Sequence, residues 1–428
     1  MLNRECASVH GMTKYFPRLA DAPLEELFSD LPVVSVVGPR ACGKTTTASR
    51  LVPNVVHLDQ KSVGQAFRAD ADAALRAVGE PVLLDEWQFA PEVLGAVKRA
   101  VDAGSGAGRF LLTGSVSAQF LPAQWPGTGR VTELKMAPLT VRELQGHIGH
   151  DSVLDRLASG DVARLQPAVL PAQALDISGY LELALRSGFP EAAMVPARSR
   201  VAWLESYRDQ IVSRDAQLAR EGIDVTRFGR YLEVVALHSA TVTASQTLFD
   251  LAGVDRKTVL EYDHLLERLY LLAAIPAWSS RRVQRLVKTP KKVLVDAALM
   301  AAIVREDAEG IFFDAELRGR FMETFVAAQL RAELPFARTR PALYHLRDTN
   351  GRHEVDFVLA YSRGRIVGVE VKSSGTVTVK DAQHLIWLRD TLGEAFVCGV
   401  VLYTGAFTQE LSDRIFAVPI STCWAPNQ

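Results

Sequence analysis

No stretch of the chain restricts its fold as strongly as residues 33–46, VVSVVGPRACGKTT. The β-branched run 33–37 predicts a strand buried on both faces of a parallel sheet. Directly behind it the chain fits G-x-x-x-x-G-K-[ST] at every fixed position: Gly38, Gly43, Lys44 and Thr45. A turn of this kind lets successive backbone N–H groups converge on phosphate oxygens, and the helix predicted to open near Lys44 adds its positive end. Gly38, Pro39, Arg40, Ala41, Cys42, Gly43, Lys44, Thr45 and Thr46 are therefore the candidate nucleotide-binding set. Lys44 would reach the β- and γ-phosphates, and the Thr45 hydroxyl would complete a magnesium shell. ATP and Mg2+ are the expected cofactors, because no N-K-x-D segment is present to read guanine.

Two further strands point at the same place. PVLLDEWQF, residues 81–89, delivers Asp85 and Glu86 to a strand end, where Asp85 would hold the metal through water and Glu86 would polarise an attacking water. GRFLLTGS, residues 108–115, ends in Thr113 and Ser115, which could touch the γ-phosphate or that water. Three such strand ends form one crevice at the carboxyl edge of a parallel sheet.

At 428 residues the chain is long enough for two or three domains. Its 48 basic and 49 acidic residues give a net charge of −1, so any nucleic acid or anionic partner must be met by a local patch. Four cysteines without a C-x-x-C pair argue for a reducing cytosol and against zinc. No apolar stretch is long enough to span a bilayer, so a soluble, cytoplasmic protein without membrane contact is expected.

GPRACGKTT, LLDEWQ, FLLTGS and PGTGRVTELKMAPLTVREL together resemble the ATPase module of a large group of prokaryotic AAA+ proteins, in which a C-terminal region of unassigned function comes after the module. The resemblance implies that Arg130, behind Gly129, is a second phosphate-sensing element. It also implies that 146–235 is a helical lid or linker and 236–305 a winged-helix-like subdomain. The apolar spacing of Trp203, Leu204, Tyr207 and Ile211 predicts one packed helix face. Arg208 or Arg214 could serve as an arginine finger, or form ion pairs with Asp209 or Asp215. Residues 247–275 read as a helix-turn-helix, with Asp255 placed to cap the second helix. RRVQRLVKTPKK behind it carries six basic residues: Arg281, Arg282, Arg285, Lys288, Lys291 and Lys292. This is the candidate surface for DNA phosphates, and it could equally face solvent or a protein partner.

In the last third, SRG between HEVDFVLAY and RIVGVEVK predicts a hairpin. Alternation places Glu370 and Lys372 on one face of its second arm, and Asp356 projects from the first. Asp356 and Glu370 could ligate magnesium and Lys372 could orient water, with Glu323 on a predicted helix as a further carboxylate. The order Glu323, Asp356, Glu370-x-Lys372 and a helix bearing Gln383 resembles the PD-(D/E)xK nuclease core of the same AAA+ group, with VD in place of the motif's proline-aspartate.

The expected architecture is thus α/β throughout. An N-terminal segment (1–28) precedes a P-loop AAA+ parallel-sheet core (29–145), the helical lid, the winged-helix-like unit and a restriction-endonuclease-like α/β domain (306–428). Two functions fit. One is a Mg2+-dependent ATPase coupled to a nuclease-like domain acting on DNA. The other is a nucleotide-gated interaction or regulatory switch, including toxin-antitoxin-type regulation, whose C-terminal domain is not catalytic and which engages a protein partner or further copies of itself.

Overall fold

The computed structural model describes residues 15–115, 129–162, 165, 174–219, 222–243, 245–279, 289–348 and 351–425. Its first layer is a sheet of five parallel strands: β1 (Val33–Val37), β2 (Asn54–His57), β3 (Val82–Asp85), β4 (Phe110–Gly114) and β5 (Thr132–Lys135). They lie in the order β2-β3-β4-β1-β5. Every residue of β1 and β4 is buried, as the β-branched and apolar runs require of central strands covered on both faces. Alternate residues serve opposite faces. Val33, Leu84 and Leu112 pack with Phe67, Leu75, Val93 and Val97 of the helices on one side, and Val34, Val36, Leu83 and Leu111 pack with Leu24, Phe28 and Ala48 on the other. Each such side chain contributes about 1.5–3 kcal/mol by leaving water.

Residues 61–78 form two helices and not one. Helix Lys61–Ala69 stops at Asp70, whose side chain caps a new helix, Ala71–Val78, by accepting from Ala73 N. A short polar side chain that bonds the backbone locally competes with helix continuation, and here it wins.

The middle region is helical, and it ends in helices Val225–Leu237, Ser245–Ala252 and Arg256–Arg268 followed by an antiparallel ribbon, β6 (Leu272–Ile275) with β7 (Lys291–Leu294). Asp255 caps the third of these helices, accepting from Lys257 N and Thr258 N, and Gly253 supplies the left-handed turn before it (φ 66°). The last sheet holds six strands: β8 (Ala342–Arg347), β9 (Glu354–Ala360), β10 (Ile366–Lys372), β11 (Phe396–Tyr403), β12 (Gln409–Ser412) and β13 (Ile415–Pro419). Their order is β12-β13-β11-β10-β9-β8. β9 and β10 form the expected antiparallel hairpin across Ser362–Gly364, while β11 runs parallel to β10.

The long helix Ala315–Glu333 covers one face of this sheet and helix Gln383–Leu392 the other. Gly368 permits the second contact, since a Cβ there would lie 2.6 Å from Leu385 Cδ2. One apolar cluster runs from Val141 to Trp424 and joins the middle and C-terminal regions. Among the described residues, no helix is long and apolar enough to cross a membrane.

Candidate functional site

The strands of the first sheet end level on one edge, Val37 beside Gly114 and His57 beside Asp85. The loop behind β1 is held by backbone geometry. Gly38 has no room for a side chain, because a Cβ would sit 2.1 Å from the Met136 carbonyl oxygen, and Gly43 is left-handed (φ 98°). Helix Lys44–Ala48 opens directly after it. Lys44 is buried, and its ammonium donates to the Pro39 carbonyl at 2.8 Å.

Asp85 is the hub. Its Oδ1 accepts from Thr45 Oγ1 at 2.7 Å and from Thr113 Oγ1 at 2.5 Å, and its Oδ2 lies 2.9 Å from His57 Nδ1. β4 lies between β3 and β1, which is how the Thr113 hydroxyl comes to stand between the carboxylate and the loop. Glu86 is left-handed (φ 54°), an uncommon conformation for a side-chain-bearing residue, and its carboxylate accepts from Gln88 Nε2 and lies 3.4 Å from Ser115 Oγ. The structure thus brings Lys44, Thr45, Asp85, Glu86, Thr113 and Ser115 to one crevice.

Arg130 stands elsewhere. It precedes β5 at the amino edge of the sheet, opposite the loop, and its guanidinium bonds Asp102 Oδ1 at 2.6 Å. The expectation of a phosphate-sensing Arg130 is corrected, because parallel pairing with β1 fixes it at the wrong end.

Several contacts around this site join segments far apart in the sequence. Arg18 donates to the Cys42 carbonyl at 2.7 Å and forms a buried ion pair with Glu143 at 2.9 Å, bracing the loop from the N-terminal segment. Arg40 reaches Asp215 at 2.5 Å, and its carbonyl accepts from Tyr207 Oη at 3.0 Å. Asp215 belongs to a π-helical turn, Ile211–Asp215, inserted between helices Ala197–Gln210 and Ala216–Ala219. Tyr207 also stacks on Trp203 at 5.1 Å, as the apolar face predicts, and burial raises its phenol well above its ordinary range. Arg208 pairs with Asp209 at 2.8 Å. His57 is legible in the sequence only as the last residue of a strand; its service to Asp85 needs the sheet order.

Of the basic run, Arg281, Arg282, Arg285 and Lys288 lie outside the described residues. Lys291 and Lys292 do not form a surface for DNA. Lys291 is fully buried, with Nζ 2.5 Å from Glu323 Oε1, 3.5 Å from Asp356 Oδ1 and 3.3 Å from the Asp356 carbonyl. Lys292 bonds Asp263 Oδ2 at 2.5 Å. Both charges are neutralised inside the molecule, which corrects the expectation for these two residues.

The C-terminal candidates do meet. Pairing of β9 with β10 ends at Phe357 and Val369, and beyond it Asp356 Oδ2 accepts from Val371 N at 2.8 Å. Lys372 Nζ donates to Glu370 Oε2 at 3.1 Å, while Glu370 Oε1 is buried with no hydrogen-bond partner. Burial, reinforced by the Asp356 charge, pushes the Glu370 carboxyl well above the usual carboxylate range and Glu323 up to about 8. Gln383 is exposed and contacts His384. Among the described residues, no three His, Cys, Asp or Glu side chains are arranged to hold a metal ion.

Comparison with known proteins finds family models that match three stretches of the chain. Residues 318–423 match a domain of unknown function (DUF4143), and residues 177–310 match another (DUF8612). An uncharacterized protein of Mycobacterium tuberculosis, Rv2008c, is 26% identical over 411 residues, covering 94% of this chain and 83% of its own length, as is Mb2031c of Mycobacterium bovis. The Walker-type ATPase PABY2304 of Pyrococcus abyssi aligns in structure at 15% identity with a TM-score of 0.42, covering 68% of this chain and 96% of that one. Residues 30–145 match the model of an AAA domain, and together with the phosphate loop, the Asp85 hub and the strand order this makes that part of the chain a P-loop ATPase domain.

Proposed function

We propose that the protein is a Mg2+-dependent ATPase whose nucleotide state is passed to its helical region through Arg40. The reading rests on one observation: Thr45 and Thr113 share a single oxygen of Asp85, beside Lys44 and Glu86. A hydroxyl and a carboxylate oxygen are the hard donors magnesium takes, so Thr45 and Asp85 fit as its protein partners. Bound there, the ion would neutralise charge on the phosphates. The chain's own residues do the rest. Lys44 exchanges the Pro39 carbonyl for phosphate oxygens, Thr45 releases Asp85, and Glu86 orients water with Ser115 beside it. Arg40 sits in the loop and carries any shift of its backbone to Tyr207 and Asp215. Titration with a fluorescent ATP analogue, together with phosphate release in wild type and Glu86→Gln, tests this; binding retained and turnover lost is the expected result.

For the C-terminal region the reading is a nuclease-like core. Asp356 and Glu370 would hold a cation, Lys372 would position water, and the three helices with the β6–β7 ribbon would form a winged-helix unit presenting Arg281, Arg282, Arg285 and Lys288 to DNA. The unpartnered Glu370 Oε1 supports a missing cation or proton there. Mg2+-dependent cutting that vanishes in Asp356→Ala and Glu370→Ala is the expected result, and cutting retained in both removes this reading. The alternative, a nucleotide-gated interaction switch without C-terminal chemistry, is favoured by the lysine already seated among the carboxylates.

A further inference from the structure

Lys291 belongs to a basic run in the sequence, yet the fold takes it out of that run and places it in the carboxylate cluster. Its ammonium is wholly buried, touches Glu323 and Asp356, and lies 5.4 Å over the Phe357 ring. The ammonium stands 2.5 Å from one carboxylate and 3.5 Å from the other, a buried ion triad. The cluster therefore carries its own cation. A second, independent feature shows that the site is incomplete: Glu370 is 3% exposed, and its Oε1 has no partner although Lys372 satisfies the other oxygen. Such an atom costs free energy unless a proton or a cation meets it.

We propose that the Lys291 ammonium and a divalent cation compete for the Glu323–Asp356 end of this cluster, so that Mg2+ or Mn2+ is accepted only when Lys291 withdraws. The inference rests on reading Asp356 and Glu370 as a cation-binding pair. A divalent ion at Glu323 and Asp356 would have to stand where the Lys291 ammonium now meets the same two carboxylates, and at that range their repulsion is poorly screened. The strand that delivers Lys291 also gives the competition a handle. β7 is two-faced: Lys291 points to the C-terminal cluster, and the adjacent Lys292 is tied to Asp263 at 2.5 Å in helix Arg256–Arg268, where Tyr231 Oη also bonds Asp263 at 2.5 Å. A displacement of those helices therefore acts on β7, and β7 sets the position of Lys291.

The test is Mn2+ titration of the nucleotide-free full chain, read by the paramagnetic resonance of the free ion. Lys291→Met should bind Mn2+ at least about tenfold more tightly than wild type, and Asp356→Asn in that background should abolish the gain. Binding that does not respond to Asp356→Asn is assigned to the nucleotide crevice. Equal, Asp356-dependent affinity in wild type and Lys291→Met overturns the competition and leaves the cation pair standing. Absence of Asp356-dependent binding in every variant removes the pair and the competition together. Acylation footprinting of wild type supplies a measurement independent of how the variant folds. Lys291 should be protected without Mn2+ and react once the Asp356-dependent site fills; occupancy with Lys291 still protected overturns the proposal.

Discussion

The nucleotide crevice and the C-terminal cluster both place carboxylates and a lysine at the end of a sheet, and they differ in what the lysine is doing. In the first, Lys44 is parked on a neutral backbone carbonyl, and Asp85 accepts from two hydroxyls and a histidine, all of which can be exchanged for a ligand. In the second, Lys291 neutralises Glu323 and Asp356 inside the protein. A lysine on a carbonyl is poised, because a phosphate offers it more charge. A lysine on buried carboxylates is committed, because removing it leaves uncompensated charge.

The sharpest way to break this contrast is Lys44→Ala. It should lower ATP turnover by about 10²–10³-fold, as loss of one preorganised charge on a transferring group does, while thermal unfolding stays near wild type. Turnover close to wild type would mean that the crevice is not poised at all. Next comes Glu323→Ala, which strands a buried ammonium and should cost about 3–5 kcal/mol in urea denaturation with little effect on nucleotide binding. A loss no larger than that of an exposed pair would show that Lys291 is not committed. Arg40→Ala removes an ion pair that is partly exposed on the arginine side, so about 1 kcal/mol or less is expected; the more telling readout is proteolysis around residues 207–215, which should lose its dependence on ATP. The smallest effect is reserved for Arg130→Ala. It should leave turnover and melting temperature unchanged, and any fall in turnover would restore a role to that arginine.

Much of the candidate crevice is legible in the sequence because its geometry is local. Gly38, Gly43, Lys44 and Thr45 lie within eight residues of one another, and their conformational demands are written in the residue types themselves. Asp85, Glu86, Thr113 and Ser115 are legible one step less directly, as polar residues ending apolar runs. The β9–β10 hairpin and the facing of Glu370 with Lys372 follow from period-2 alternation, and Asp255 caps the helix that its spacing indicates.

What stays hidden depends on pairing between distant segments. Arg18 and Glu143 meet across more than a hundred residues, as do Arg40 and Asp215, and no local pattern encodes either contact. Arg130 looks like a sensor beside the other motifs until parallel pairing of β5 with β1 fixes it at the far edge. Lys291 and Lys292 look like one basic surface until a strand turns them to opposite sides, each onto a carboxylate of another element.

The sequence by itself determined that a phosphate loop stands behind a buried strand, since short-range sterics and hydrogen bonding leave glycine, lysine and threonine little else to do at that spacing. Only the tertiary structure decided which charges are available for chemistry and which are already neutralised, because burial and partners, not residue type, set the free energy of an ion.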